Sequence, residues 1–373
     1  MSGLEVLLLA VGLVVVAGPI WLPARALRGV AGFWVVVATL VFLRLSLDTA
    51  IAALAALVAG AVVARWLPLA ALRRIAFLVP SLVLLIYATT VLMYLAPGNP
   101  FASERVASPQ VEAALRAQYG VPEDATAFFT SYMRGALVEG TLGPSIKVKG
   151  RNVEDLLAPA LPVSLSLGLM ALVLSVAIGL LLGVRAGLRP NSWADHSSMG
   201  LAMVGISLPN FVIGAGLLIV FSLQLGWFPV AGWGSYGHLM LPALTLALPH
   251  AAYIARLARN GTIEVMQQDF IRTARAKGLP EHDVILRHAL KGAILPAVSY
   301  LGPAAAGIMT GSFVVEVLFG IPGMGQWFVK SAINRDYSLV LGTAIVYFTL
   351  ITLFNLLVDV AYAWLDPRLR SRT

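Results

Sequence analysis

Long apolar runs separated by short basic connections set the pattern of the chain: residues 4–22, 30–43, 47–64, 75–95, 161–184, 198–225, 239–257, 296–319 and 339–364. A helix needs about 20 apolar residues to cross a hydrocarbon core of ~30 Å. Each run is therefore expected to be a span, with 30–43 rather short. Connections rich in Lys and Arg stay in the cytoplasm. Arg25 and Arg28, then Arg65, Arg73 and Arg74, then Arg185 and Arg189, and finally Arg368 and Arg370 mark that side. Glu5 lies near the start of the first run and no basic stretch precedes it, which suits a span rather than a cleaved leader. The N-terminus is then expected outside, with three extra spans in residues 1–72 and six in residues 73–373.

The pattern breaks in two places. Residues 97–158 form a mixed-charge loop that opens with the helix breaker Ala96-Pro97-Gly98-Asn99-Pro100. Long loops escape the basic-residue count, so this one is expected outside, and its length and aromatic content predict a structured, functional loop. The second break, residues 259–295, is a charge-dense hook. Ile263, Met266, Phe270, Ile271 and Ala274 fall on one helical stripe, interrupted by Gln267. Arg272, Arg275 and Lys277 crowd its last turns, where cations suit the helix dipole. Gly278 supplies a left-handed stop and Pro280 opens a second helix, with Leu286, Leu290 and Ala293 as its stripe. Two amphipathic helices joined at a Gly-Leu-Pro corner predict a rigid protrusion whose apolar face needs a partner.

Composition narrows the class. The chain has 373 residues, 59% hydrophobic and 12% charged, with mean hydropathy +0.86. Soluble domains carry about a quarter charged residues, so this is an all-α polytopic membrane protein. A net charge of +8 raises nucleic acid as a partner. The basic residues lie in short connections between spans, however, and topology accounts for them. No cysteine is present, which excludes disulfides and thiolate sites. No Gly-Lys-Ser/Thr phosphate cradle, His-Glu-x-x-His pair or Gly-x-Ser-x-Gly elbow occurs, so no catalytic, cofactor or metal site is expected. The histidines are dispersed, and His282 and His288 in the hook are expected to face solvent or a partner.

Polar residues inside the runs are few. Ser207-Leu208-Pro209-Asn210 interrupts 198–225, as a packing kink or as a break lining a pathway. Trp227, Trp233 and Tyr236 form an interfacial aromatic belt. Gly302, Ala304, Ala305, Ala306, Gly307 and Gly311 permit close helix approach. Glu316 is either one half of a buried ion pair with a neighbouring subunit or a cavity-lining anion. Asn355 and Asp359 share a face, and Asp359 reads as a packing or ion-pair residue rather than a proton relay.

The segment Asp269-Phe270-Ile271-Arg272-Thr273-Ala274-Arg275-Ala276-Lys277-Gly278, with Arg287-His288-Ala289-Leu290 and Leu295-Pro296, resembles the EAA motif of binding-protein-dependent ABC importer permeases. The likeness is to the dipeptide, oligopeptide and nickel branch. Arg272-Thr273-Ala274 stands where the general pattern has Glu-Ala-Ala. Pro97-Gly98-Asn99-Pro100 resembles the branch's Pro-Gly-Asp-Pro, and Phe319-Gly320-Ile321-Pro322-Gly323-Met324-Gly325 and Asp336-Tyr337 match further family motifs. The resemblance covers residues 73–373 and implies a six-span type I permease core with about three extra N-terminal spans. It implies a coupling helix that meets an ATPase through Asp269, Phe270, Thr273, Ala274, Lys277, Gly278, Leu279 and His288. Pro209, Asn210 and Glu316 would line the pathway or gate. Pro97, Gly98, Asn99 and Pro100 would meet an external solute-binding protein. The implied partners are a second homologous permease, two ATP-binding ATPase subunits that carry ATP and Mg, the solute-binding protein and membrane lipids. The implied location is a bacterial inner membrane. The implied mechanism is ATP-driven alternating access for peptides or related solutes; an ion-driven secondary transporter is the alternative, with Glu316 and Asp359 as its only strong intramembrane acids.

Overall fold

The computed structural model describes residues 69–101 and 109–365. The three extra spans expected before residue 69 and the basic tail from residue 366 lie outside the described residues. Among the described residues the chain is helical, with a single isolated bridge between Pro144 and Asn152. The elements are α1 Leu69–Leu95, α2 Pro109–Tyr119, α3 Ala125–Arg134, α4 Val153–Leu188, α5 Trp193–Ser207 and α6 Asn210–Gln224. There follow α7 Tyr236–Met266, α8 Asp269–Ala276, α9 Glu281–Ala293, α10 Leu295–Leu318, α11 Met324–Asn334 and α12 Tyr337–Leu365.

Three helices are long and apolar enough to cross a membrane among the described residues: Val153–Leu188, Tyr236–Met266 and Tyr337–Val358. The number rises to 5 if the bent pairs α5–α6 and α9–α10 each count as one span. The apolar part of α1, Pro80–Leu95, is shorter. The expected run 198–225 is thus two helices meeting at 113°. Its cause is local: proline forces the residue before it out of the helical region, and Leu208 (ψ 135°) and Pro209 (ψ 146°) are both extended.

The helices group into two compact units. The first takes in the described residues up to Pro159 together with Trp327–Leu356. Its core is aromatic: Phe101, Phe128, Tyr132 and Tyr337 are buried with Ile86, Val121, Ile146 and Leu341. The Tyr94 ring sits 5.3 Å from Tyr337, and its hydroxyl donates to the Pro122 carbonyl at 2.7 Å. The long loop is therefore a folded cap. Asp336, 0% exposed, is its polar centre. Its carboxylate accepts from the Ser145 hydroxyl, the Lys147 N–H (3.1 Å) and the Leu339 N–H (3.2 Å).

The second unit takes in Ala160–Gln326 and the described residues from Leu357 on. Here α4 lies on α7 through Gly179, Gly183 and Gly187. A Cβ on Gly183 would fall 2.3 Å from the Ala255 carbonyl oxygen, and one on Gly187 would fall 2.7 Å from that of Arg259. The facing stripe of α7 is Ala247, Ala251, Ala255 and Ala258, all buried. Small residues every fourth position let helix backbones approach closely where lipid gives no hydrophobic drive. Near the end of this seam the buried Asp195 receives the Arg259 guanidinium at two oxygens, the longer contact 2.7 Å. That pair fixes the start of α5 to α7.

Candidate functional site

The hook begins where α7 overruns its apolar segment and ends at Met266. A single helix was expected through Ala274, but Gln267 and Gln268 turn the chain and α8 starts afresh at Asp269. The turn rotates the stripe. Ile271 and Ala274 point inward, while Phe270 is 50% exposed. After the corner, Val284–Ala289 adopts π-helical geometry, which closes on i+5 rather than i+4 and so shifts the face by a residue per turn. Val284 and Ala289 are buried in consequence, and Ala293 is buried as expected. Leu286, expected in the buried stripe, is 50% exposed.

What holds the elbow is a small plug of its own. Ile271, Ala274, Val284 and Ala289 pack together, with Val265 and Met266 against them. At the corner Gly278 has φ +76°, which L side chains adopt only at a cost. The Gly278 N–H donates to the Arg275 carbonyl at 2.9 Å and the Leu279 N–H to the Ala274 carbonyl at 3.4 Å, the second being a six-to-one helix closure. Pro280 (φ −64°) then leads into α9. Arg275 spans the corner to Glu281 with contacts of 3.1 and 2.7 Å. The guanidinium lowers the Glu281 carboxyl below its ordinary value, and Glu281 raises Arg275 in turn. Both groups are exposed, so water screens the pair and its contribution is small.

Of the expected coupling residues, Asp269, Phe270, Thr273, Lys277, Gly278, Leu279 and His288 are exposed on the elbow, and Ala274 lies in its plug. The Thr273 hydroxyl donates to the Asp269 carbonyl at 2.9 Å. Phe270, Leu279 and Leu286 together display apolar surface amid Asp269, Arg272 and Arg287, whose side chains are also largely exposed. The Arg275–Glu281 strut was not foreseen; its only signal was opposite charge on either side of the Gly-Leu-Pro corner.

The other expected site residues lie elsewhere. Pro209 and Asn210 sit at the 113° break, Pro209 exposed. Glu316 is 0% exposed, with its carboxylate engaged inside this chain. It accepts from the Ser164 hydroxyl at 2.7 Å and from the Gly325 N–H at 2.8 Å, and Ser164 in turn accepts from the Met324 N–H at 2.8 Å. It thus fastens the Pro-Gly-Met-Gly turn. Pro97 and Gly98 are exposed and Pro100 is buried, its carbonyl taking the Lys147 ammonium at 2.7 Å. The Asn99 side chain accepts from the Phe101 N–H at 2.9 Å, a turn contact that asparagine makes as well as aspartate.

The described helices apolar enough to cross a membrane and the self-packed elbow that exposes Phe270, Leu279 and Leu286 are the frame of a membrane component. The chain belongs to the family of binding-protein-dependent transport system inner membrane components, whose family model matches residues 155–371. It is 45% identical over 300 residues to the oligopeptide transport system permease protein OppB of Haemophilus influenzae, covering 80% of this chain and 98% of that one. The Escherichia coli K12 protein of the same name is 46% identical over 301 residues, again 80% and 98%. The dipeptide transport system permease protein DppB of Bacillus subtilis is 43% identical over 282 residues, 76% of this chain and 91% of that one.

Proposed function

We propose that this chain is one of two permease subunits in an ATP-driven importer of peptides, seated in a bacterial inner membrane. The relatives named as oligopeptide and dipeptide permeases support the substrate class. The observation that carries the mechanism is the elbow. Its inner face is packed against itself while Phe270, Leu279 and Leu286 remain exposed, so the surface is stiff and unfilled. In this reading Asp269, Phe270, Thr273, Lys277, Leu279 and His288 meet the cytoplasmic ATPase, with Ala274 and Gly278 fixing their geometry. ATP binds between two such ATPases and draws the elbows together, and the α7 and α10 helices rooted in them tilt. A conformational change is driven only by differential binding to its two states, and ATP supplies that difference through this contact. Pro209 and Asn210 form the bend that gives way, Glu316 holds the outer gate turn, and Pro97, Gly98, Asn99 and Pro100 receive the solute-binding protein. ATP and Mg stay on the ATPase subunits.

Reconstitution with ATPases, second permease and binding protein tests the reading. Peptide uptake that requires all four components and ATP supports it. Uptake driven by a proton gradient without ATPase would sink it. Replacing Phe270 and Leu286 by Ser together should leave the subunit inserted but strip it of ATPase in pull-down.

A further inference from the structure

The face of α7 opposite its alanine seam is polar. His250, Tyr253, Arg256 and Asn260 follow one another at spacings of three, three and four, which keeps them on one stripe. The neighbouring α10 brings Tyr300 to it, with the exposed Ser299 next to Tyr300 in sequence. The His250 Nδ1 is 3.0 Å from the Tyr300 hydroxyl, the Tyr253 and Tyr300 rings stand 5.4 Å apart, and the Arg256 guanidinium lies 5.3 Å over the Tyr253 ring. Arg256, Asn260 and Ser299 are exposed, and His250, Tyr253 and Tyr300 are half-buried. Arg259, three residues on, is neutralised by Asp195. Arg256 has no carboxylate partner among the described residues.

A guanidinium turned toward acyl chains is costly, and such groups are found facing aqueous cavities or protein. Four successive polar positions cannot all face lipid. The surfaces suited to lipid are elsewhere, at Val173, Leu181, Leu201 and Met203, each more than 60% exposed and apolar.

We infer that His250, Tyr253, Arg256 and Tyr300 line the aqueous passage and that Arg256 receives the terminal carboxylate of the peptide in transit. The inference rests on the peptide-importer reading for its ligand. The carboxylate is the one anionic group common to peptides of every sequence, and a guanidinium matches it with two parallel N–H donors. The Tyr253 and Tyr300 rings offer flat surfaces to peptide planes. The His250–Tyr300 pair can donate or accept without selecting a side chain. An exposed pairing of this kind is weak enough for the solute to leave.

The absence of cysteine makes the test direct. In the full transporter with a cysteine-free second permease, Ser299→Cys and Tyr253→Cys should react with a charged, membrane-impermeant thiol reagent, and transported peptide should protect them. Val173→Cys and Leu201→Cys should not react. Thiols at 299 and 253 that react only with an apolar reagent would mark a lipid face. Thiols that react with neither would mark a face covered by the second permease. Either result overturns the inference. Uptake of a peptide and of its C-terminal amide, measured with one binding protein so that its preference cancels, tests the ligand. Arg256→Gln should lower the ratio of acid to amide uptake about 3- to 5-fold, and Arg256→Lys should restore part of it. An unchanged ratio, or labelling without protection, removes the carboxylate assignment. If the unaltered transporter moves no peptide at all, the peptide reading has failed, and the labelling still decides whether the face is wet.

Discussion

The cap around Asp336 and the elbow around Gly278 solve the same problem, holding a loop rigid, in opposite ways. The cap turns its distinctive polar residues inward. Asp336 is fully buried, and hydroxyl and backbone donors converge on it with no cation among the described residues. The elbow turns its distinctive residues outward and keeps only Ile271, Ala274, Val284 and Ala289 for itself. Burying a carboxylate commits a loop to one geometry, because each donor aimed at it becomes a liability once the acceptor is gone. Exposing charge around an apolar plug leaves a surface that can be read by another protein. The residue types that look alike in a motif thus do different work: Asp336 builds, and Asp269 is displayed.

The comparison is sharpest at Asp336. Asp336→Ala leaves the Ser145 hydroxyl and the Lys147 and Leu339 N–H groups without their acceptor. Each unsatisfied buried group costs about 1–3 kcal/mol, so a loss on the order of 3–5 kcal/mol is expected. Thermal unfolding in detergent should show it as the largest drop among the variants considered, with proteolysis opening between residues 97 and 158. A stable Asp336→Ala protein would mean that the aromatic core alone holds the cap. Next in size is Gly183→Val. Its branched side chain would meet the Ala255 backbone, and overpacking of a tight contact costs about 1–3 kcal/mol. Gly200→Val, where nothing lies within 4 Å of a built Cβ, is the matched control and should unfold like the parent.

These differences explain what could be read in advance. The corner was legible because its chemistry is local: a glycine that must adopt positive φ, followed at once by a proline. The stripes on either side were legible in part: Ile271, Ala274 and Ala293 are buried as expected, but Phe270 and Leu286 are exposed, because the break at Gln267-Gln268 and the π-helical turn at Val284–Ala289 are settled by packing, which leaves no periodic mark. Glu316 was noticed as an expensive acid, but its partner Ser164 lies 152 residues away in sequence. Ser145 lies 191 residues from Asp336. Contacts closed over such distances depend on the assembled fold, and no spacing encodes them. Gly179, Gly183 and Gly187 recur every fourth residue but were not singled out, because they sit in a run apolar on all sides, where nothing marks one face from another. The 113° fold at Pro209 was foreseen as a break but not in its angle.

At the elbow smaller thermodynamic effects should carry larger functional ones. Gly278→Val must place a branched residue at φ +76°, a strain of about 1–2 kcal/mol. Space around the position is open, so insertion should survive while ATP hydrolysis continues with little peptide uptake. Gly278→Asn, which tolerates this region, should recover most of the uptake. Equal loss in both variants would show that the side chain, and not the backbone angle, is what the partner rejects.

The weakest expected effect belongs to the Arg275–Glu281 strut, and it separates the two ways of holding a loop. Glu281 is held below its ordinary value by Arg275. A depressed carboxyl adds stability above its unfolded value and loses it as pH falls through the folded one. The strut is therefore complete at neutral pH and fades only in acid. Solvent screens it throughout. Arg275→Gln should leave the unfolding midpoint at neutral pH within error, flatten what little acid dependence the pair contributes, and keep uptake close to that of the parent, because the Gly278 closure and the Ile271–Val284 plug remain. If Arg275→Gln uncoupled hydrolysis from uptake as fully as Gly278→Val, the elbow would owe its stiffness to a polar contact after all, and the contrast with the buried carboxylate of the cap would disappear.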